Sequence, residues 1–261
     1  MCLIAFAIDK HPSYPLVLVA NRDEFRDRPT EPAHFWPDAP HVLAGLDGRA
    51  GGTWLGVTTG GKLAAITNYR DARQQMVHPP SRGLLVADYL RDQAMTTADL
   101  QTHLIKHGDE YDGFNLIYGT CRKLHYFTNR GGSSGPVTPG VHALSNHLLD
   151  TSWPKVIAAR ARLSQAVLQE EPSSDELFKL LADPKPFDTR LLPDTGIGPD
   201  RERLLSPLFI EGEQYGTRST TVITVDSEGT LTFVEQGHDV PDTPGQVFTI
   251  LINNSQQIPS F

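Results

Sequence analysis

Residues 1–24 read MCLIAFAIDKHPSYPLVLVANRDE, two apolar runs separated by a polar break. The runs Cys2–Ile8 and Pro15–Ala20 have the length of β-strands, and the segment between them contains the turn-forming residues Asp, Pro and Ser. Both runs are apolar at nearly every position, whereas a strand with one face in water would alternate apolar and polar residues. The stretch therefore predicts a hairpin that is covered on both faces.

The hairpin also predicts which residues lie opposite Cys2. If the turn centres near residue 11 or 12, the numbers of paired residues sum to about 23, give or take about two for the turn type. This register places Cys2 across from Asn21, Arg22 and Asp23. Neighbouring residues of a strand point to opposite faces, so Arg22 and Asp23 both reach Cys2 only if a bulge or turn occurs at Arg22.

Cys2 directly follows the initiator methionine, which is commonly removed in cells when the second residue is as small as cysteine. Cys2 would then carry a free α-amine, whose ordinary pKa of about 7.7–8.0 suits a general base for its own thiol. We expect Arg22 to favour the thiolate and Asp23 to accept a hydrogen bond from the ammonium group. The alternative is that Cys2 is a small buried hydrophobe and that residues 22–24 form an ion-pair cluster closing the strand.

Composition excludes several classes of protein. The chain has 261 residues, 39% of them hydrophobic and 21% charged, as expected for one globular domain spanning residues 1–261. A formal net charge of −8 without a long Lys/Arg block argues against nucleic acid or an anionic membrane as a partner. No apolar run reaches the roughly 18 residues of a membrane-spanning helix, and two cysteines suit a reducing compartment. We therefore expect a soluble cytoplasmic protein without transmembrane segments.

Predicted strands dominate both ends of the chain, and predicted helices cluster in the middle. After the hairpin, the pattern predicts strands at 53–59, 63–67, 113–119, 123–128, 141–145, 218–225, 229–236 and 246–252. It predicts helices at 81–93, 96–107, 153–169 and 173–182, and irregular loops at 25–44 and 184–199. This order favours a layered α+β sandwich over alternating βαβ units.

Further segments carry a family resemblance: GGTWLGV at 51–57, TNYRD at 67–71, GFNLIYG at 113–119, LSNHLLDTSWPK at 144–155 and YGTRSTTVI at 215–223. Together with MCLIAFA and NRDE, they resemble the NRDE family, also called the transport and Golgi organisation protein 2 family. That family in turn resembles N-terminal-nucleophile hydrolases of the choloylglycine hydrolase and penicillin acylase type. The resemblance implies a four-layer αββα sandwich with the nucleophile at the start of a central strand.

The resemblance also implies a catalytic set, consisting of Cys2, Arg22, Asp23, Asn68, Asn146 and Arg218. In those hydrolases the positions of Asn146 and Asn68 supply amides to the developing oxyanion, and that of Arg218 an arginine near the nucleophile. Both residues also have a simpler, purely structural interpretation. In that interpretation Asn68 is a turn former at a strand end, and Arg218 caps a loop carbonyl or pairs with Glu211 or Glu213.

Three functions follow from the resemblance. The first is an N-terminal-cysteine hydrolase of a non-peptide amide or acyl thioester, which needs no cofactor and no metal. The second is a carrier of haem or another hydrophobic carboxylate, because family members have been linked to haem trafficking; Arg22 and Arg218 would meet the carboxylates. The third is an interaction protein in Golgi or secretory trafficking. For the carrier, the histidines that fall in predicted loops, His11, His34, His41 and His147, are candidate haem ligands.

Overall fold

Two antiparallel β-sheets form the centre of the protein in a computed structural model, which describes residues 2–74, 76–170, 172–239 and 245–252. The strands are, in chain order, β1 Cys2–Ile8, β2 Leu16–Phe25, β3 Thr30–Trp36, β4 Ala39–Asp47, β5 Leu55–Thr58, β6 Lys62–Asn68, β7 Phe114–Thr120, β8 Lys123–Thr128, β9 Gly135–Pro136, β10 Gly140–Leu144, β11 Tyr215–Val225, β12 Thr230–Gly237 and β13 Gln246–Leu251. One sheet has the order β10-β1-β2-β11-β12-β13, and the other runs from β3 to β9 in sequence order.

The N-terminal hairpin lies inside the first sheet and has the predicted register. Cys2 pairs with Arg22, and Leu3 pairs with Asn21. Every residue of β1 is buried, which confirms that the hairpin is covered on both faces. The strand β2 continues to Phe25, so the polar NRDE segment belongs to the strand that the sequence pattern ends at Ala20.

Helices cover the outer face of each sheet. They are α1 Gly83–Arg91, α2 Thr97–His107, α3 Pro154–Ala166, α4 Ser174–Leu180 and α5 Pro199–Leu204. Helices α3 and α4 pack on the sheet that contains β1, and α1 and α2 pack on the other sheet. A third apolar cluster, which includes Phe6, Leu18 and Ile117, fills the space between the sheets. The layers therefore run helix, sheet, sheet, helix, and the predicted αββα sandwich is confirmed.

Alternation along the central strands decides which residues face the space between the sheets. Ile4 and Phe6 of β1 lie in the core between the sheets, whereas Leu3 and Ala5 pack under the helices α3 and α4. In β2, Leu18 and Ala20 likewise face the second sheet, and Val17 and Val19 face the helices. Continuing the alternation places Cys2 and Arg22 between the sheets, and Asn21 and Asp23 on the helix side.

The prediction of an irregular loop at 25–44 is wrong, because this segment forms β3 and most of β4. β3 is an edge strand with one face in solvent, where polar residues and Pro32 are tolerated, so its sequence is typical of a loop. Two register shifts against β4 further interrupt its alternation. The short helix α5, which follows the Pro-rich loop, has no counterpart among the predicted helices.

Phe6 tests the packing between the sheets. Its side chain is fully buried there, so we expect Phe6→Ala to lower the free energy of unfolding by about 3–5 kcal/mol. Ile157→Ala on the exposed side of α3 is the control and should change it by less than about 1 kcal/mol. Urea denaturation monitored by circular dichroism measures both, and similar small losses in the two variants would contradict the described core.

Candidate functional site

Cys2 begins the central strand β1 at the edge of a cavity. Its side chain is 7% exposed and lies on the face between the sheets, directly across from Arg22. Both residues line a cavity of about 600 Å³ at the end of the inter-sheet core. A nucleophile at this point is held by a rigid strand and still reaches a space large enough for a small-molecule substrate.

The thiol is protonated in its resting environment. Burial raises the pKa of the Cys2 thiol to about 11, and the Asp23 carboxyl adds to this effect. The Arg22 guanidinium and the backbone N–H of Asp23 lower this pKa but do not outweigh burial. The expectation that Arg22 favours the thiolate is therefore right in direction, but the site still needs a base close to the sulfur atom.

Arg22 carries an unused hydrogen-bond donor. Its side chain is buried, and its Nη1 atom has no hydrogen-bond partner among the residues that the structure describes. The guanidinium lowers the pKa of Glu235, which burial raises, and Glu235 accepts a hydrogen bond from the backbone N–H of Ala33 at 2.7 Å. A buried donor at a cavity wall is costly unless a ligand oxygen meets it, so this nitrogen suits a carbonyl, an oxyanion or a carboxylate.

Asp23 lies on the face of β2 that points toward the helices, and at the end of the sheet it also contributes to the lining of the Cys2 cavity. Its Oδ1 atom accepts a hydrogen bond from Thr217 Oγ1 at 2.7 Å, and its carbonyl accepts one from Tyr215 Oη at 2.9 Å. A bulge or turn at Arg22 was the condition for both Arg22 and Asp23 to reach Cys2. The structure instead has its extra residue on the partner strand β11, where the register shifts between Thr217 and Ser219, opposite Asp23 and Arg22. Because Cys2 is the first residue of its strand, Asp23 influences the thiol from the other face.

Lys155 is a site residue that the sequence analysis missed. It lies in the first turn of α3 and is buried together with Ala159 and Leu163. Burial lowers the pKa of Lys155 to about 8, against the effect of the Asp23 carboxylate, which raises it. The spacing in the sequence could have indicated its burial, because Lys155 lies four residues before Ala159 and eight before Leu163, on the apolar stripe of the helix.

The two asparagines lie at the ends of strands from different sheets. Asn68 ends β6, is half-buried and lines the Cys2 cavity. Asn146 follows β10 and is fully buried; its Nδ2 donates to the backbone carbonyl of Asn68 at 3.0 Å. Ser145 Oγ lies 3.1 Å from Asn146 Oδ1 and 3.3 Å from the Cys2 carbonyl oxygen. Asn68 therefore faces the cavity, and Asn146 connects the two sheets beside Cys2.

Arg218 lines the same cavity and is fully engaged with the protein. Its Nε atom donates to Asp239 Oδ2 at 2.9 Å, and its Nη1 atom donates to the backbone carbonyls of Phe25 and Arg28. Arg218 therefore caps backbone carbonyls of a loop, and its carboxylate partner is Asp239 instead of Glu211 or Glu213. Its contribution is to hold the start of the segment between β2 and β3 against β11.

Asn21, the first residue of NRDE, has a structural role. Its Nδ2 atom donates to the carbonyls of Leu181 and Leu208, at 3.0 and 2.8 Å, and its Oδ1 atom accepts from Thr220 Oγ1 at 2.7 Å. The side chain is fully buried on the helix face of β2. It fixes the segments after α4 and before β11 to the strand that carries Arg22.

A second cavity of about 820 Å³ adjoins the first and is more apolar. The two share Glu24, Phe25, Asn68 and Arg82, and the second adds Leu204 and Tyr215. In the described part of the chain, no histidine lines either cavity, and no group of three or more His, Cys, Asp or Glu residues could hold a metal ion. His34 and His41, which we expected in loops, lie on β3 and β4.

Comparison with known proteins gives a family. A model of the family described as Transport and Golgi organisation 2 matches residues 1–239. The chain is 37% identical over 264 residues to the Transport and Golgi organization 2 homolog of Mus musculus. The aligned residues cover 93% of this chain and 95% of the relative. It is 30% identical over 269 residues to Transport and Golgi organization protein 2 of Drosophila melanogaster, covering 90% and 92% of the two chains.

Two solved structures are similar in fold. A Caenorhabditis elegans ortholog of N-acylethanolamine-hydrolyzing acid amidase is 12% identical with a TM-score of 0.47, covering 85% of this chain and 92% of that one. A mutant of conjugated bile acid hydrolase from Clostridium perfringens is 10% identical with a TM-score of 0.48, covering 97% and 93%. Separately, none of the helices in the described ranges is long and apolar enough to cross a membrane.

Replacement of Asn21 tests its anchoring role. Asn21→Ala removes the donor of two buried carbonyls and the acceptor of Thr220, so we expect a loss of about 2–4 kcal/mol in the free energy of unfolding. Asn68→Ala is the matched control, because its half-buried side chain lies at the cavity and should cost under about 1 kcal/mol. Chemical denaturation of both variants measures the difference, and equal losses would contradict this assignment.

Lys155 predicts a pH dependence of stability. Between its pKa of about 8 in the folded chain and its ordinary value of 10.5, the unfolded chain binds a proton that the folded chain does not. The free energy of unfolding should therefore rise with pH. The raised pKa of Cys2 acts in the opposite direction only above its ordinary value of 9.0, so the window from pH 8 to 9 shows the effect of Lys155 without that of Cys2.

The measurement is urea denaturation across this pH window. Lys155→Met should lose the rise. Lys106→Met, which removes an exposed lysine from α2 on the other sheet, should keep it. Identical pH profiles for the wild-type chain and Lys155→Met would show that Lys155 does not titrate as described.

Proposed function

Because the chain belongs to the transport and Golgi organisation 2 family, whose description names no reaction, we propose its function from the geometry of the site. We infer that it is an N-terminal-cysteine hydrolase that cleaves a non-peptide amide or an acyl thioester. One observation carries the proposal. Cys2 and Arg22 are directly paired, lie on the same face and both line the cavity, and Arg22 Nη1 has no hydrogen-bond partner within the part of the chain that the structure describes.

The proposed reaction begins after removal of Met1, a step that lies outside the described residues. The Cys2 α-amine takes the thiol proton, and the sulfur attacks the carbonyl carbon of the substrate. Arg22 Nη1 and the Asn68 side chain donate to the oxyanion. Collapse of the tetrahedral intermediate breaks the carbon–nitrogen or carbon–sulfur bond, and the ammonium returns its proton to the leaving amine or thiol. Water then attacks the Cys2 thioester and releases the carboxylic acid.

The burial of Cys2 supports this order of events. A thiol whose pKa is about 11 is unreactive toward solvent electrophiles at neutral pH, so it must give its proton to a group within hydrogen-bonding reach. The α-amine of the same residue meets this condition, since its ordinary pKa is about 7.7–8.0. We place this chemistry in the cytoplasm, where the two free cysteines, both buried, stay reduced.

A second candidate uses the same cavities without chemistry. Arg22 Nη1 has no hydrogen-bond partner among the described residues, and the adjoining cavity of about 820 Å³ is more apolar than the first, which suits a hydrophobic carboxylate such as haem. In this proposal Cys2 is a bystander or a ligand of the cargo. Binding of the cargo would then depend on Arg22. The chain would have no turnover, with or without the Cys2 thiol.

The test is turnover by the chain with its native terminus on a panel of N-acyl amides and acyl thioesters. We expect Cys2→Ala to reduce hydrolysis at least about a thousandfold, because the nucleophile is gone. An added N-terminal residue should abolish it by converting the amine to an amide. Cys121→Ala is the matched control, since Cys121 is the other buried free cysteine and lines neither cavity.

The outcomes separate the two candidates. Turnover that survives Cys2→Ala or the N-terminal extension would overturn the hydrolase. A chain that hydrolyses nothing but binds haem or a fatty acid stoichiometrically, with binding lost in Arg22→Met and kept in Cys2→Ala, would support the carrier.

A further inference from the structure

The first turn of α3 places a charged residue beneath the nucleophile. Lys155 occupies the sheet-facing stripe of a helix that packs on β1 and β10, and its side chain is 3% exposed. Asp23 is 1% exposed and lies on the face of β2 that points toward the same helix layer. Two opposite charges are thus enclosed between α3 and the ends of the two central strands.

Other charged groups around Lys155 are already matched with each other. Arg70, from the segment after β6, donates to Glu202 of α5 at 2.8 Å, and both side chains are buried. Glu202 also accepts hydrogen bonds from the backbone N–H and the hydroxyl of Thr195. Asp23 of β2 and the Cys2 thiol of β1 are the other titratable groups among the described residues that act on the pKa of Lys155 most strongly. Asp23 is therefore the carboxylate that balances Lys155.

We propose that Lys155 is a positioning residue for the Cys2 nucleophile and acts through the Asp23 carboxylate, an inference that rests on the proposed function. An isolated carboxyl group in this interior would take up a proton, because burial raises the pKa of Asp23. Lys155 is the first of the charges that oppose that effect, so its ammonium group favours the ionised carboxylate. An ionised Asp23 can hold the α-ammonium of Cys2, and the protonated acid cannot hold it equally well.

Each of the two charges depends on the other. If Lys155 is replaced by an uncharged residue, Asp23 becomes a protonated acid. If Asp23 is replaced by asparagine, Lys155 releases its proton, since an unpaired buried charge is far more costly than a neutral group. Either single replacement, or both together, therefore leaves the same uncharged site. A lysine that merely fills the apolar stripe would instead allow independent, additive effects.

A double-mutant cycle tests this dependence without requiring a known substrate. The variants are Lys155→Met, Asp23→Asn and the double replacement, all with the native terminus. The rate of alkylation of Cys2 by iodoacetamide is followed by mass spectrometry as a function of pH. We expect all three profiles to coincide, with a midpoint below that of the wild-type chain, because the Asp23 carboxylate no longer opposes formation of the thiolate.

Turnover should change in the opposite direction. On any substrate found in the panel, the three variants should lose activity at least about tenfold and to the same extent, although their thiols alkylate faster at neutral pH. Lys62→Met, far from Cys2 on the other sheet, should match the wild-type chain in both measurements. Lys155→Gln replaces the methionine variant if that variant does not fold, as judged by circular dichroism.

Additive shifts, or a Lys155→Met profile equal to that of the wild-type chain, would overturn the inference. The two proposals fail separately. Coincident profiles in a chain that hydrolyses nothing would remove the hydrolase and keep the coupling between Lys155 and Asp23. Wild-type turnover in both single variants would remove the coupling and keep the hydrolase.

Discussion

Burial of the first β-strand on both faces is the constraint on which the rest of the structure depends. A strand enclosed between a helix layer and a second sheet accepts apolar side chains along its length, as β1 shows from Leu3 to Ile8. Polar chemistry can enter only where the strand begins. Cys2 occupies that position, and the two sheets separate there to leave the cavity that it lines.

The same burial determines the chemistry that is available. It raises the pKa of the Cys2 thiol and of the Asp23 carboxyl group and lowers the pKa of the Lys155 ammonium, so each group is pushed toward its neutral form. Charge survives in this interior only where a partner supports it. The buried Arg70–Glu202 ion pair is one example, and the opposite charges of Asp23 and Lys155 likewise counter the effect of burial on each other's pKa. Arg22 differs, because its Nη1 atom has no hydrogen-bond partner among the described residues and an oxygen of a ligand would supply one.

Much of the fold can be predicted from the sequence because continuous apolar runs and helical stripes report burial directly. The hairpin register, the helices α1 to α4 and the preference for a layered α+β sandwich follow from such patterns, whereas the four-layer αββα order was implied by the family resemblance. Edge strand β3 could not be found this way, since one of its faces is in solvent. The NRDE segment looks like a strand end because its residues are polar, yet Asn21 and Asp23 are buried against Thr220 and Thr217. Contacts so distant in sequence leave no local signal.

The most direct test of the central claim is the intact mass of the chain with its native terminus, before and after reaction with a thiol-reactive acyl probe. We expect a chain that has lost Met1 and takes up one label, which is absent from Cys2→Ala. A chain that retains Met1, or that carries its label at Cys121, would contradict the assignment of Cys2 as an N-terminal nucleophile.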